Sequence, residues 1–379
     1  MSLRERIIYQ AFGNWMFKRK TLVLTGARQV GKTTFLWEIL QDQPDVLFLN
    51  ADEQRVRSMF EDASIPNLKS IIGSNKIVVI DEVQRIENPG LILKLLHDSF
   101  PDKQFIATGS SALEISDRIF EPLTGRHILF HMYPFSMHEL YPQTTSFHAA
   151  EDLPFHLVFG TYPEVAMTRD GAQVILKNLA NQYLYKDVLA WKDIRKPDLL
   201  NKLLQLLAYQ IGSEVSVHEL ATSLKVKSET VENYLDLLEK SFVIFRLQAY
   251  SNNPRKEVSK MSKIYFWDNG IRNAVIENFD LLSLRQDVGQ LWENFLISDR
   301  MKMNAFLGRE NKSYFWRNYN QAEVDYVEVT KNDINAYEVK WKVDPKAKIS
   351  RAFLNLYPNA VTKILNPNNF MEFCGNENG

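Results

Sequence analysis

The stretch Gly26-Ala27-Arg28-Gln29-Val30-Gly31-Lys32-Thr33 constrains this chain more than any other. It satisfies G-x-x-x-x-G-K-[ST] at every fixed position. It lies between an apolar run, Thr21 to Thr25, and a helical stripe made by Phe35, Leu36, Ile39 and Leu40. A strand that enters this spacing and a helix that leaves it make a phosphate cradle. Gly26 and Gly31 let the backbone curl so that successive N–H groups face inward, and the helix beginning near Lys32 adds its positive end. Lys32 is then placed for the β- and γ-phosphates of a bound nucleotide and Thr33 for Mg²⁺, with Thr34 closing the cofactor-binding run.

Val46 to Leu49, Lys76 to Ile80 and Gln104 to Thr108 are also short, apolar on both faces and separated by helix-length segments. That pattern predicts a buried parallel sheet in an α/β layer fold. Ile77-Val-Val-Ile80 ends in Asp81-Glu82, so a strand delivers two carboxylates to the end where open α/β sheets bind ligands. In P-loop NTPases this is the Walker B position, with Asp81 for Mg²⁺ and Glu82 for the attacking water. The strand from Gln104 runs into Gly109-Ser110-Ser111. Ser110 is the first candidate to hydrogen-bond the γ-phosphate or the water, with Thr108 and Ser111 as alternatives. Leu123-Thr-Gly-Arg126 offers an arginine to stabilise transition-state charge, in cis or in a neighbouring subunit of a homo-oligomer. Arg118 and Arg85 are open to the same role.

Composition sets the outer limits. At about 150 residues per domain, 379 residues imply two to three domains. Lys plus Arg count 45 against 46 Asp plus Glu, which excludes a generally basic nucleic-acid coat. The single cysteine, Cys374, excludes an intrachain disulfide framework and fits a reducing compartment. No apolar run approaches the ~18 residues of a membrane span, and the N-terminal residues lack a signal-peptide pattern. The expectation is a cytoplasmic protein.

Downstream, residues 152–195 read as helical, and Leu199 to Ile211 as one leucine-rich helix. Ser216-Val-His-Glu219 starts a short helix, Ser228 caps the next, and Phe242 to Tyr250 reads as a strand. This is a winged helix-turn-helix outline. Its second helix carries Glu229, Glu232, Asp236 and Glu239, which suits packing or a hinge better than phosphate contact. A better basic surface spans Lys340, Lys342, Lys346, Lys348 and Arg351.

These motifs, together with Val83-Gln84 and Tyr133-Pro-Phe135, resemble the prokaryotic AAA-type ATPases of the archaeal-ATPase-like group. The resemblance continues through Tyr162-Pro-Glu164, Lys263-Ile-Tyr-Phe-Trp-Asp268, Glu293-Asn294 and Glu338-Val-Lys340, and so covers nearly the whole chain. It implies ATP rather than GTP, and a C-terminal region of unknown function.

Gln321 to Val329 and Ile334 to Lys342 alternate and should form a hairpin. A loop at Lys331-Asn332 sets Asp325 opposite Glu338, and a loop at Asn332-Asp333 sets it opposite Lys340. Either register gathers Asp325, Glu338 and Lys340, and Glu293 on the preceding helix, Val288 to Met301, can join them. An acid followed by Glu-x-Lys looks like the core of restriction-endonuclease-like nucleases, in which the carboxylates bind Mg²⁺. A solvated cross-strand ion-pair ladder is the competing reading. The whole chain is thus expected to be α/β, a P-loop NTPase parallel sheet with a helical lid, a winged helix-turn-helix and a small restriction-endonuclease-like domain. The expected divisions are an AAA-type ATPase domain (1–150), a helical linker and winged helix (151–255), and the restriction-endonuclease-like domain (256–379). The leading functional expectation is Mg²⁺-dependent ATP hydrolysis coupled to a nuclease-like module acting on DNA. The alternative is an ATP-dependent switch whose C-terminal core is a catalytically dead scaffold.

Overall fold

Thr21–Gly26, Val46–Asn50, Ile77–Asp81, Gln104–Gly109 and His127–Met132 form strands β1 to β5 of one parallel sheet, in the order β2-β3-β4-β1-β5. The computed structural model describes residues 5–109, 121–142, 146–183, 197–251 and 262–375. β1, β3 and β4 are buried along their whole length, which is why their apolar runs show no alternation. Helices Ile65–Ile72 and Pro89–Ser99 supply Leu68, Ile72, Leu93 and Leu96 to a core shared with Val23, Val78, Ile80 and Ala107. β5 went unrecognised in the sequence because it is an edge strand with two histidines and a half-buried pattern. The strand order has one consequence for function. β4 lies between β1 and β3, so its C-terminal end separates the phosphate loop from the acidic end of β3.

The contacts divide the chain into two compact units, Met1–Tyr133 with Lys240–Phe242, and Pro134–Glu239 with Val243–Gly379. In the second unit, Asn269–Val275 packs against Ser146–Phe159 and Ala172–Tyr183.

In that second unit, Glu214–Val215, Ile244–Ala249, Ser262–Phe266, Lys312–Arg317, Glu323–Val329, Ile334–Val339 and Val361–Leu365 are β6 to β12. They form one seven-stranded sheet, β12-β11-β10-β9-β7-β8-β6. The start of β7 pairs antiparallel with β8, and its end, Gln248 and Ala249, pairs parallel with β9. A single sheet thus runs across the boundary expected at 255, which itself lies outside the described residues. Before β7 come helices Pro197–Tyr209, Val217–Leu224 and Ser228–Lys240. The expected cap is present: Ser216 Oγ accepts from the Glu219 N–H at 3.3 Å. After β8 come helix Asn269–Val275, the 3₁₀ turn Leu282–Leu284, helix Val288–Phe306, β9, β10, β11, helix Arg351–Leu356, β12 and helix Phe370–Cys374, with β11 antiparallel to β10 and parallel to β12. No described helix is long and apolar enough to cross a membrane.

Asn294, fully buried on the Val288–Phe306 helix, ties that helix to β8. Its Oδ1 accepts from Phe266 N at 2.8 Å, and its Nδ2 donates to Phe266 O at 3.0 Å and Asn269 Oδ1 at 2.7 Å. Asn294→Leu keeps the volume and strands three buried polar partners. It should lower unfolding stability by about 3 kcal/mol or more, read as a fall in the urea midpoint at unchanged slope.

Candidate functional site

The cradle after β1 is built from backbone that only certain residues tolerate. At Gly26, φ is +155°, and a Cβ there would lie 2.0 Å from the carbonyl oxygen of Met132 on β5. Gly31 caps the Lys32–Leu40 helix at φ +94°, in the left-handed region that favours glycine. Gln29 is also left-handed, at φ +59°. The far side of the loop is tied down by Arg6, whose guanidinium donates to Val30 O at 3.4 Å and to Tyr133 O at 2.6 Å. Ala27 and Val30 are buried, while Gln29, Thr33 and Thr34 are exposed. Lys32 folds back over the loop, its Nζ donating to Gly26 O at 2.8 Å and Ala27 O at 2.9 Å. Its ammonium therefore sits at the centre of the curled backbone, where a phosphate tail is cradled.

Asp81, buried at the end of β3, meets this loop. Thr33 Oγ1 donates to Asp81 Oδ2 at 3.0 Å, and Thr108 Oγ1, at the end of β4, donates to Asp81 Oδ1. Thr108 Oγ1 also accepts from Glu82 N at 3.2 Å. Two strand ends and the first turn of the Lys32–Leu40 helix are joined through one carboxylate. Hydroxyl and carboxylate oxygens converging on one point are the hard donor set that Mg²⁺ takes. Glu82 is left-handed at φ +52° and opens the short 3₁₀ turn Val83–Arg85. Its Oε2 accepts from Gln84 Nε2 at 2.5 Å.

Of the β4 candidates, Thr108 is the one that reaches the acidic centre. Ser110 and Ser111 lie outside the described residues, as does Arg118. Arg85 pairs with Asp52, 3.3 Å away. Arg126 needs correcting as an own-chain catalytic group. Thr21 pairs with His127 and Gly26 with Met132, so Arg126 precedes β5 at the end of the sheet opposite the cradle. Five strand residues put about 16 Å between them, and the Arg126 Nε is engaged with Asp98 Oδ1 at 2.8 Å. That hydrogen bond holds the Asp98 carboxyl below its usual range.

In the second unit, Asp325, Glu338 and Lys340 come together in the first of the two expected registers. Tyr326 pairs with Tyr337, and Thr330 N donates to Asp333 O at 3.0 Å, closing a loop at Lys331-Asn332. Val324 faces Trp316 and Val327 faces Tyr314 on β9, so Asp325 and Tyr326 share one partner position. This bulge re-aims the Asp325 side chain, whose Oδ2 accepts from Val339 N at 2.8 Å. Lys340 Nζ donates to Glu338 Oε1 at 2.6 Å, while Glu338 Oε2 is buried without a hydrogen-bond partner. Burial, then the Asp325 charge, pushes the Glu338 carboxyl up. Burial likewise raises Asp325, against the pull of Lys263.

Glu293 joins the same region but is already engaged. Its Oε1 accepts from Lys263 Nζ at 3.1 Å and from Tyr265 OH at 2.7 Å. Lys263, with its side chain only 4% exposed, also pairs with Glu323. Burial works against that ammonium, yet Glu293, Glu323 and Asp325 hold its pKa above the ordinary lysine value. Burial pushes the Glu293 carboxyl up to about 7, with Lys263 opposing. Among the described residues, no group of three or more His, Cys, Asp or Glu is placed to hold a metal ion. Sequence reasoning missed Lys263 and Tyr265 as members of this cluster. Their signal was the motif Lys263 to Asp268, quoted for its resemblance without a role.

On the neighbouring module, the acidic helix Ser228–Lys240 meets its counter-charge on β7. Arg246 bonds Glu232 at 3.0 Å and Glu239 at 2.8 Å, and also pairs with Asp236.

Residues 18–141 match the family described as an AAA domain. Residues 150–282 and 288–374 match two domains of unknown function, DUF8612 and DUF4143. An uncharacterized protein of Methanocaldococcus jannaschii is 26% identical over 337 residues, covering 82% of this chain and 73% of its own length. One of Mycobacterium tuberculosis is 26% identical over 321 residues, covering 83% and 69%. Among solved structures, the Walker-type ATPase of Pyrococcus abyssi superposes with a TM-score of 0.50 at 18% identity, over 72% of this chain and 96% of that one. The chain thus carries, over residues 18–141, an α/β domain similar to AAA domains, on a fold similar to that of a Walker-type P-loop ATPase.

Proposed function

We propose that this chain binds ATP with Mg²⁺ in the cradle after β1 and hydrolyses it. The observation that carries this reading is the convergence of Lys32, Thr33, Asp81, Glu82 and Thr108 on the C-terminal ends of β1, β3 and β4. Thr33 and Asp81 are the residues that would hold Mg²⁺, which when bound neutralises phosphate charge. Lys32 and the inward N–H groups of residues 27–33 bind and orient the phosphates. Thr108 fixes the Asp81 carboxylate, and Glu82 takes the proton of the attacking water.

A second reading concerns the C-terminal cluster. The order helix, three strands, helix, strand, with Asp325, Glu338 and Lys340 on β10 and at the end of β11, supports a restriction-endonuclease-like fold. One observation favours retained chemistry there: the buried Glu338 Oε2 lacks a hydrogen-bond partner. Asp325 and Glu338 are then the residues that would hold Mg²⁺, which polarises a phosphodiester when bound. Glu293, engaged with Lys263 and Tyr265, stands outside that set. The order β7-β8-β6 after three helices supports a winged helix, and the pairing of its acidic residues with Arg246 supports a packing role. Contact with DNA would fall instead to the exposed Lys342, Lys346, Lys348 and Arg351.

ATP turnover measured with and without DNA tests the first reading. Lys32→Ala should lose nucleotide affinity and turnover. Glu82→Gln should keep affinity and slow hydrolysis by roughly 10²–10⁴; wild-type rates in that variant would remove Glu82 from the mechanism. Arg126→Ala, assayed in dilute monomer, should turn over ATP at the wild-type rate. For the second reading, plasmid DNA incubated with Mg²⁺ or Mn²⁺ should be cut by the wild type and not by Asp325→Ala. Intact plasmid in both lanes sinks it and leaves the scaffold alternative.

A further inference from the structure

Glu82 is fixed at its backbone by two contacts that define where its side chain starts. Its N–H donates to Thr108 Oγ1 at 3.2 Å, and its carbonyl accepts from Arg85 N at 2.9 Å, closing the 3₁₀ turn. The left-handed conformation, φ +52° and ψ +44°, turns the chain sharply after the buried Asp81. A β-carbon residue held there carries strain that the surrounding hydrogen bonds must offset. The turn brings Gln84 back over Glu82, with Nε2 at 2.5 Å from Oε2.

We propose that Gln84 is the positioning residue for Glu82: its amide fixes one carboxylate oxygen and so leaves the other to take the proton of the attacking water. The choice of a neutral donor matters chemically. An arginine or lysine here would form an ion pair and draw the carboxylate away from a water. An amide orients it while leaving its negative charge uncompensated. This inference rests on the ATPase reading and adds a residue to it. Three bonds set the rotational freedom of a glutamate side chain, and a base that samples many rotamers spends little time in line with the water. Gln84 and Glu82 lie on the same short turn, so the side-chain restraint is local.

The test is a double-mutant cycle on steady-state ATP hydrolysis by the full chain. Gln84→Met, which keeps the length and removes the donor, should lower kcat roughly tenfold, the worth of one hydrogen bond to a charged group, with KM for ATP unchanged. Gln84→Glu, which repels Glu82, should lower kcat further. In a Glu82→Gln background, Gln84→Met should have no added effect, because the group it positions is gone. Several results overturn the proposal: an unchanged or raised kcat in Gln84→Met, a loss confined to KM, or the same fold-loss in the Glu82→Gln background. A wild-type chain that turns over no ATP overturns the ATPase reading itself, and this proposal with it.

Discussion

The carboxylate of Asp81 is the point on which the first unit turns. It is buried at the end of a fully buried strand, and a buried charge persists only where hydrogen bonds replace lost water. Thr33 and Thr108 supply those bonds from the neighbouring elements. One requirement, satisfying a buried acid, therefore fixes the helix after β1, the end of β4 and the turn at Glu82 relative to each other. The geometry of the cradle follows from a stability demand. The insertion of β4 between β1 and β3 is what allows it, since adjacent strands alone would leave no third element to reach the carboxylate.

Much of this was legible before any coordinates. The spacing from Gly26 to Thr33 and the apolar run ending at Asp81-Glu82 are local patterns, and local patterns survive reading in one dimension. Strand bounds came within a residue for β1 to β4, because buried parallel strands announce themselves as unbroken apolar runs. Arg126 shows where such reading stops. A Gly-Arg pair near the end of a domain carries no information about which end of the sheet it occupies; only the pairing of Thr21 with His127 does. β12 was missed for a related reason, since a helix separates it from its parallel partner β11; β9 was missed although its partner β10 follows it directly. The hairpin register was narrowed to two and not to one, because turn chemistry around Lys331 to Asp333 permits both loops.

The C-terminal cluster illustrates a different limit. The same three residues, Asp325, Glu338 and Lys340, were expected on one patch and are found there. Their number says little about what they do, because carboxylates packed together must be compensated by something. Lys263 supplies much of that compensation from a strand that sequence reading did not connect to them. Burial then raises the carboxyl pKa values of Glu293, Asp325 and Glu338 together, so protons and ammonium groups compete for the same negative charge.

The shared strand β7 has a practical consequence for anyone dissecting this chain. Its first half completes an antiparallel ribbon with β8, and its last two residues carry the four strands that follow. Cutting the polypeptide after the helical module would not separate two folded pieces. It would open a sheet down the middle, leaving β9 on one fragment as a raw edge with Phe315 and Trp316, which are buried in the intact chain. Such an edge invites pairing with another copy of itself. Fragments divided there should precipitate, whereas a cut at Tyr133 and Pro134 respects both sheets.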